Sequence, residues 1–119
     1  MQRVWKLLIL LTAMAIAGGC GNDAQKVLEG YEKGQRVFQG ANLKNADLTG
    51  AYLYRADLSG ADLRGANLTN ANLGGCNIKG ADLTGARLVG TNLFFALYDD
   101  NTKFPKGADP KRYSMNKEY

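Results

Sequence analysis

Few side chains in this 119-residue chain are of a type that does covalent chemistry. It has no His, only two serines (Ser59 and Ser114), and no glycine-rich phosphate loop set between a strand and a helix. A nucleophile–base pair would have to use Lys or a carboxylate alone, so an acyl-transfer site lacks its usual members and enzyme activity is not expected. The two cysteines, Cys20 and Cys76, stand in different settings, one just past an apolar N-terminal run and one inside a repeat. One set of oxygens has regular spacing: Asn42, Asp62 and Asp82 recur every twenty residues. Stacked coils would bring them within about 5 Å of one another, and oxygen ligands so arranged could hold a hard cation. Lys44 and Arg64 on the same side balance that charge, so a solvated face is the expectation, with no metal and no other cofactor.

Whatever these residues do, one element must position them. Residues Ala41 to Phe95 divide without remainder into eleven five-residue units, from Ala-Asn-Leu-Lys-Asn to Thr-Asn-Leu-Phe-Phe. The third position is Leu ten times and Ile78 once; the first is Ala nine times, then Cys76 and Thr91. On an α-helix five residues advance a side chain by roughly 140° net, which scatters the leucines around the cylinder. In a straight strand an odd period alternates them between faces. They converge only if the backbone turns once per unit, so that Leu and Ala point at a common axis. The outward positions carry Asn, Asp, Gly, Thr, Ser, Lys and Arg, as turns and solvent favour, and Gly at the fifth position of seven units suits a corner with unusual backbone angles.

The A(D/N)LXX pattern resembles the pentapeptide-repeat proteins. That resemblance implies an all-β solenoid: a right-handed quadrilateral β-helix of about three coils, four units or twenty residues per coil, here with a short N-terminal capping helix. Residues twenty apart then stack in four inward columns, the first being Phe38, Leu58, Ile78 and Tyr98. Some members of the family resemble duplex DNA and protect topoisomerases. Such mimicry needs a long, strongly negative rod, and over residues 41–95 five bases against four acids leave +1. A DNA-mimic regulator is therefore the disfavoured alternative. No basic stripe with interleaved aromatics marks a nucleic-acid binder, and no small-molecule substrate is expected.

The N-terminus points to an address. Arg3 and Lys6 precede an apolar run from Leu7 to Ala17, too short for a membrane span of about 20 residues but suited to a secretory signal. The following Ile16-Ala17-Gly18-Gly19-Cys20 resembles a bacterial lipoprotein signal, with Ala17 where that family usually has Leu. The resemblance implies removal of residues 1–19 and lipidation of Cys20, hence a lipid-anchored protein of the bacterial envelope, at the periplasmic face of an outer membrane if the cell has one. The alternatives are an ordinary cleaved signal or an uncleaved anchor. With Cys20 so used, Cys76 has no intramolecular partner; it replaces an inward Ala and reads as a small buried hydrophobe, with a reactive thiol as the alternative.

Residues 20–37 read as a tether and capping helix, begun by Asn22 or Asp23 and ending near Gly30 or Gly34, because a solenoid's ends need covering. Residues 38–105 are the array, with Phe38 and Tyr98 as aromatic lids, and Asn101–Pro105 turns away from it. Residues 106–119 form a basic polar tail, read as mobile. One side breaks the polar pattern: Tyr52, Tyr54 and Arg55, then Asn72, Gly74 and Gly75, then Asn92, Phe94 and Phe95. Exposed aromatics favour contact, so this side is the candidate face for a protein partner, an aromatic or chain-like ligand, or a second copy. The alternative is that a terminal segment folds over it.

Overall fold

The computed structural model describes residues 21–118; Cys20 and the whole signal-like segment lie outside them. Within the array the backbone pairs in parallel with itself twenty residues on: Val37 with Asp57, Asn42 with Asp62, Asp47 with Asn67, Tyr52 with Asn72, and so on up to Asn77 with Leu97. The chain thus returns over itself every four units.

One rule builds each unit. The second-position Asn or Asp turns its side-chain oxygen onto the N–H two residues later, as Asp57 does to Ser59 (3.0 Å) and Asn77 to Lys79 (3.0 Å). This Asx turn bends the chain, which is why the position demands Asn or Asp and not merely a polar residue. The corner closes when the next unit's first N–H donates to the Leu carbonyl, as Ala56 does to Leu53 (3.0 Å). To turn there, the fifth residue adopts positive φ throughout, mostly as Gly, with Asn45 and Asn70 as tolerated substitutes. Between coils, the Leu63 N–H donates to the Asp82 carbonyl (2.8 Å) and the Asp62 N–H to the Ala41 carbonyl (3.0 Å), a ladder repeated along each side.

The inward Leu and Ala side chains form one core, from Leu43 to Ala96. Two polar substitutes for the inward Ala are satisfied in the same way. The Cys76 thiol donates to the Leu53 carbonyl (2.8 Å) and the Thr91 hydroxyl to the Leu68 carbonyl (2.7 Å), each 23 residues back.

Helix α1 (Ala24–Glu32) runs through Gly30 and ends just before Gly34, with Lys33 as its C-cap. It buries Val27 against the core, with Ala24, Leu28 and Tyr31 packed beside it. Asp23 does not cap it with its side chain; the carboxylate instead accepts from the Asn42 N–H (2.9 Å), while the Asp23 N–H donates to the Asn42 carbonyl (2.6 Å). Asn22 takes over the local role, accepting from the Ala24 N–H (3.0 Å).

Two expectations for the C-terminal part need correction. The chain does not turn away at Asn101–Pro105: after one inserted residue Lys103 pairs with Asp82, twenty-one residues back, and the Thr102 hydroxyl donates to the Ile78 carbonyl (3.0 Å) as Cys76 and Thr91 do to theirs. Nor is the segment after 105 an undocked tail. A 3-10 helix (Pro110–Tyr113) leads to strand β2 (Asn116–Lys117), which pairs in parallel with β1 (Leu97–Tyr98). Tyr113, Met115 and Ala108 pack on the core and supply the apolar anchorage that the sequence at Ala108–Pro110 does not advertise. Lys79 to Glu118 (2.8 Å) and Lys117 to Asp100 (2.7 Å) add ion pairs at the surface.

Candidate functional site

The side carrying units 51–55, 71–75 and 91–95 departs most from the unit rule. Tyr52 replaces the Asx that would make the turn, and Arg55 and Phe95 occupy the left-handed corner at φ 61°. Among positive-φ residues of the array, every other one is Gly or Asn. A branched or bulky L-residue there costs on the order of 1–2 kcal/mol, and strain of this kind gathers at functional sites. Arg55→Gly and Phe95→Gly are therefore expected to leave the melting temperature unchanged or raise it by a few degrees. A clear drop in either would show that the side chain contributes more to packing than the corner costs.

The aromatics stay open to solvent: Tyr52 is 58% exposed, Phe94 51% and Phe95 57%. Neither terminal segment covers them, although each touches the strip at one end. Tyr31 of α1 meets Tyr52 edge-on (ring centroids 5.9 Å apart) and donates its hydroxyl to the Tyr54 carbonyl (2.9 Å). Tyr52 and Tyr54 follow at 6.2 Å, and Phe94 and Phe95 form a second pair at 4.2 Å. Two guanidiniums attend the tyrosines, Arg36 over Tyr31 at 3.8 Å and Arg55 toward Tyr54 at 5.4 Å. Burial pushes the Tyr31 phenol upward, with Arg36 opposing. Tyr31 and Arg36 belong to this surface, and sequence reading places them only within the tether and capping helix of residues 20–37. Nothing local signals that the helix returns to meet Tyr52.

Tyr54 and Arg55 occupy the centre of the side. The Tyr54 ring lies across Gly74, where a Cβ would come 3.1 Å from it, and the Arg55 stem crosses Gly75 at a like distance. The paired glycines of unit 71–75 are the seat for these two side chains. The result is a strip of aromatic faces and arginines with no carboxylate among them.

The remaining candidates are quieter. Asp62 is clamped by Arg64 through two hydrogen bonds (2.9 and 2.8 Å), which hold its carboxyl down at about 2. Asp82 accepts from the Thr84 N–H (3.0 Å) and hydroxyl (2.6 Å), and its pKa is lowered chiefly by that hydroxyl. Among the described residues no group of three or more His, Cys, Asp or Glu is placed to hold a metal. Phe38 lies half-buried under Gly30 of α1, and Tyr98 meets Phe104 edge-on at 5.5 Å. Cys76 is fully buried and burial pushes its thiol up to about 12. It is expected to resist thiol reagents in the native protein and to react fully once denatured; native labelling at a comparable rate would contradict its burial.

Comparison with known families matches pentapeptide repeats, in eight copies, to residues 37–70 and 61–94. Two solved structures are similar. A pentapeptide repeat protein of the cyanobacterium Cyanothece 51142 is 43% identical over 57% of this chain and 46% of its own, with a TM-score of 0.57. A second, from Nostoc PCC 7120, is 33% identical over 78% of this chain and 93% of its own, with a TM-score of 0.51. The chain thus spans less than half the first protein and nearly all of the second. Both likenesses carry a right-handed β-helix solenoid. Comparison with curated proteins gives no match.

Proposed function

The chain belongs to the pentapeptide-repeat family, and from that premise we propose that it is a non-enzymatic binding or scaffolding module, lipid-anchored through Cys20 in the bacterial envelope. The array is read as about three four-sided coils with α1 as the N-terminal cap, which leaves its sides free for contact. One observation carries the binding role: the solvent-open strip of Tyr52, Tyr54, Phe94 and Phe95, edged by the half-buried Tyr31, in which Arg55 and Phe95 are held at φ 61°. Exposed aromatics joined to arginines are the composition of interface anchors, and a strained corner kept where Gly would serve favours a use for the side chain. The occupant is a protein partner of the same compartment or a second copy.

The test changes Tyr54 and Phe94 to Ser and repeats affinity capture from envelope extract, with the melting curve as a control for folding. Loss of a specific companion by a folded variant supports the reading, and unchanged recovery of every companion sinks it. The anchor is tested separately, by fractionation and lipid labelling of the wild type and Cys20→Ser. The wild type should label and sediment with membranes and the variant should do neither; a soluble, unlabelled wild type would remove the envelope reading.

A further inference from the structure

The top of the solenoid is not closed on all four sides. In lower coils each inward Leu donates its N–H to the coil above, as Leu68 does to the Arg87 carbonyl (2.9 Å), and each first-position carbonyl accepts from above, as Ala66 does from the Arg87 N–H (2.9 Å). On the last coil, Lys103 completes the side of unit 81–85 and Asn116 that of unit 96–100, while the Phe95 N–H reaches the Ser114 carbonyl (3.0 Å). Unit 86–90 receives nothing. The N–H groups of Leu88 and Gly90 and the carbonyl of Ala86 have no hydrogen-bond partner among the described residues.

The chain passes this side without backbone pairing to it. From Pro105 to Tyr113 it runs as a turn and the 3-10 helix, touching the core through Ala108 and Tyr113 and leaving a cleft of about 290 Å³ lined by Ala86, Leu88, Pro105, Ala108 and Tyr113, together with the exposed Val89 and Lys106. Burial records the gap: Leu88 is 9% exposed and Ala86 7%, while the Leu residues of the lower coils stand at 0–1%. Val89, beside them, is 73% exposed. An unpaired parallel edge over an apolar slot is a template for an added strand.

We propose that this edge takes an extended, acidic peptide segment of a partner protein, which pairs with Leu88 and Gly90 and sets a small apolar side chain into the slot. Charge selects this occupant. The framing segments 86–90 and 105–113 carry Arg87, Lys106, Lys111 and Arg112 against Asp109 alone, and the Asp109 carboxylate is turned onto the Lys111 N–H (2.9 Å). A second copy of the chain, docked edge to edge, would set these four bases against their own duplicates. An acidic strand neutralises them while its alternate apolar residues face Leu88 and Tyr113. The unit also breaks the repeat in the matching direction, with Arg87 where Asn or Asp would make the turn. This site is distinct from the aromatic strip and does not rest on it.

The test titrates the full chain in detergent micelles with a blocked Glu-Val-Glu-Val-Glu peptide, following backbone amide signals. Binding should shift residues 86–90 and 105–113 and slow hydrogen exchange at Leu88 and Gly90. A Lys-Val-Lys-Val-Lys peptide, or the acidic peptide N-methylated at alternate residues on its pairing edge, should bind at least tenfold more weakly. Arg87→Glu combined with Lys106→Glu, both at exposed positions, should also weaken the acidic peptide at least tenfold while leaving the melting curve in place. Shifts confined to the Tyr52–Phe95 strip, equal binding by the N-methylated peptide, or no binding at millimolar peptide would each overturn the proposal. So would concentration-dependent broadening of 86–90 without peptide, which assigns the edge to a second copy.

Discussion

Leu63→Asp is expected to abolish folding, and Leu73→Ala to lower stability by about 2–5 kcal/mol. Both side chains are fully buried in the shared core. A carboxylate at 63 would face stacked leucines above and below, with every neighbouring backbone group already engaged between coils. The Leu63 N–H donates to Asp82 and its carbonyl accepts from the Ala66 N–H (3.1 Å), so no local donor is free to receive the charge. Leu73→Ala removes three carbons from the middle of a column between Leu53 and Leu93, both nearly or wholly buried. Coils held to one another by backbone hydrogen bonds in every unit on either side of Leu73 cannot collapse into that space, so the cost belongs in the upper part of the range. Circular dichroism melts on the two variants check this. A Leu73→Ala protein that melts with the wild type would contradict the core as described.

The interior was legible because one physical rule repeats. A period of five forces the Leu and Ala positions inward, and the twenty-residue pairing of Asn42 with Asp62 or Tyr52 with Asn72 is the register expected from the family resemblance. The second position was legible only in part. Its Asn and Asp were readable as turn residues, but their specific work, accepting the N–H two residues on, emerges from geometry. What escaped the sequence lies where contacts cross between non-repeating segments. Thr102 and Phe104 continue the array only because one inserted residue is absorbed before Lys103, and a pattern counted in fives loses register there. Tyr113 and Met115 dock a segment whose composition is that of a solvated tail. On the candidate side, the aromatic positions and Arg55 were visible as departures from the pattern. The seating of Tyr54 on Gly74 and the approach of Tyr31 depend on where α1 returns, which no local rule encodes.

The same small-residue position should respond oppositely in the middle and at the top of the array. Ala66→Leu is expected to cost about 1–3 kcal/mol, because three added carbons must enter a core filled above by Ala86 and below by Ala46. Its backbone cannot yield easily: the Ala66 carbonyl holds the Arg87 N–H, and its own N–H holds Leu63. Ala86→Leu puts the same carbons at the rim of the open cleft, where Ala86 is 7% exposed and the chain from Pro105 to Ala108 makes no backbone pairing to it. There the larger side chain covers Leu88 and Tyr113, so stability should hold or rise, by about 0.8 kcal/mol for each methylene fully buried. Paired thermal melts decide it. Equal losses at both positions would mean that the gap above unit 86–90 is closed in solution, and the peptide edge with it. A gain at 86 accompanied by loss of acidic-peptide binding would show that Leu fills the slot the peptide uses.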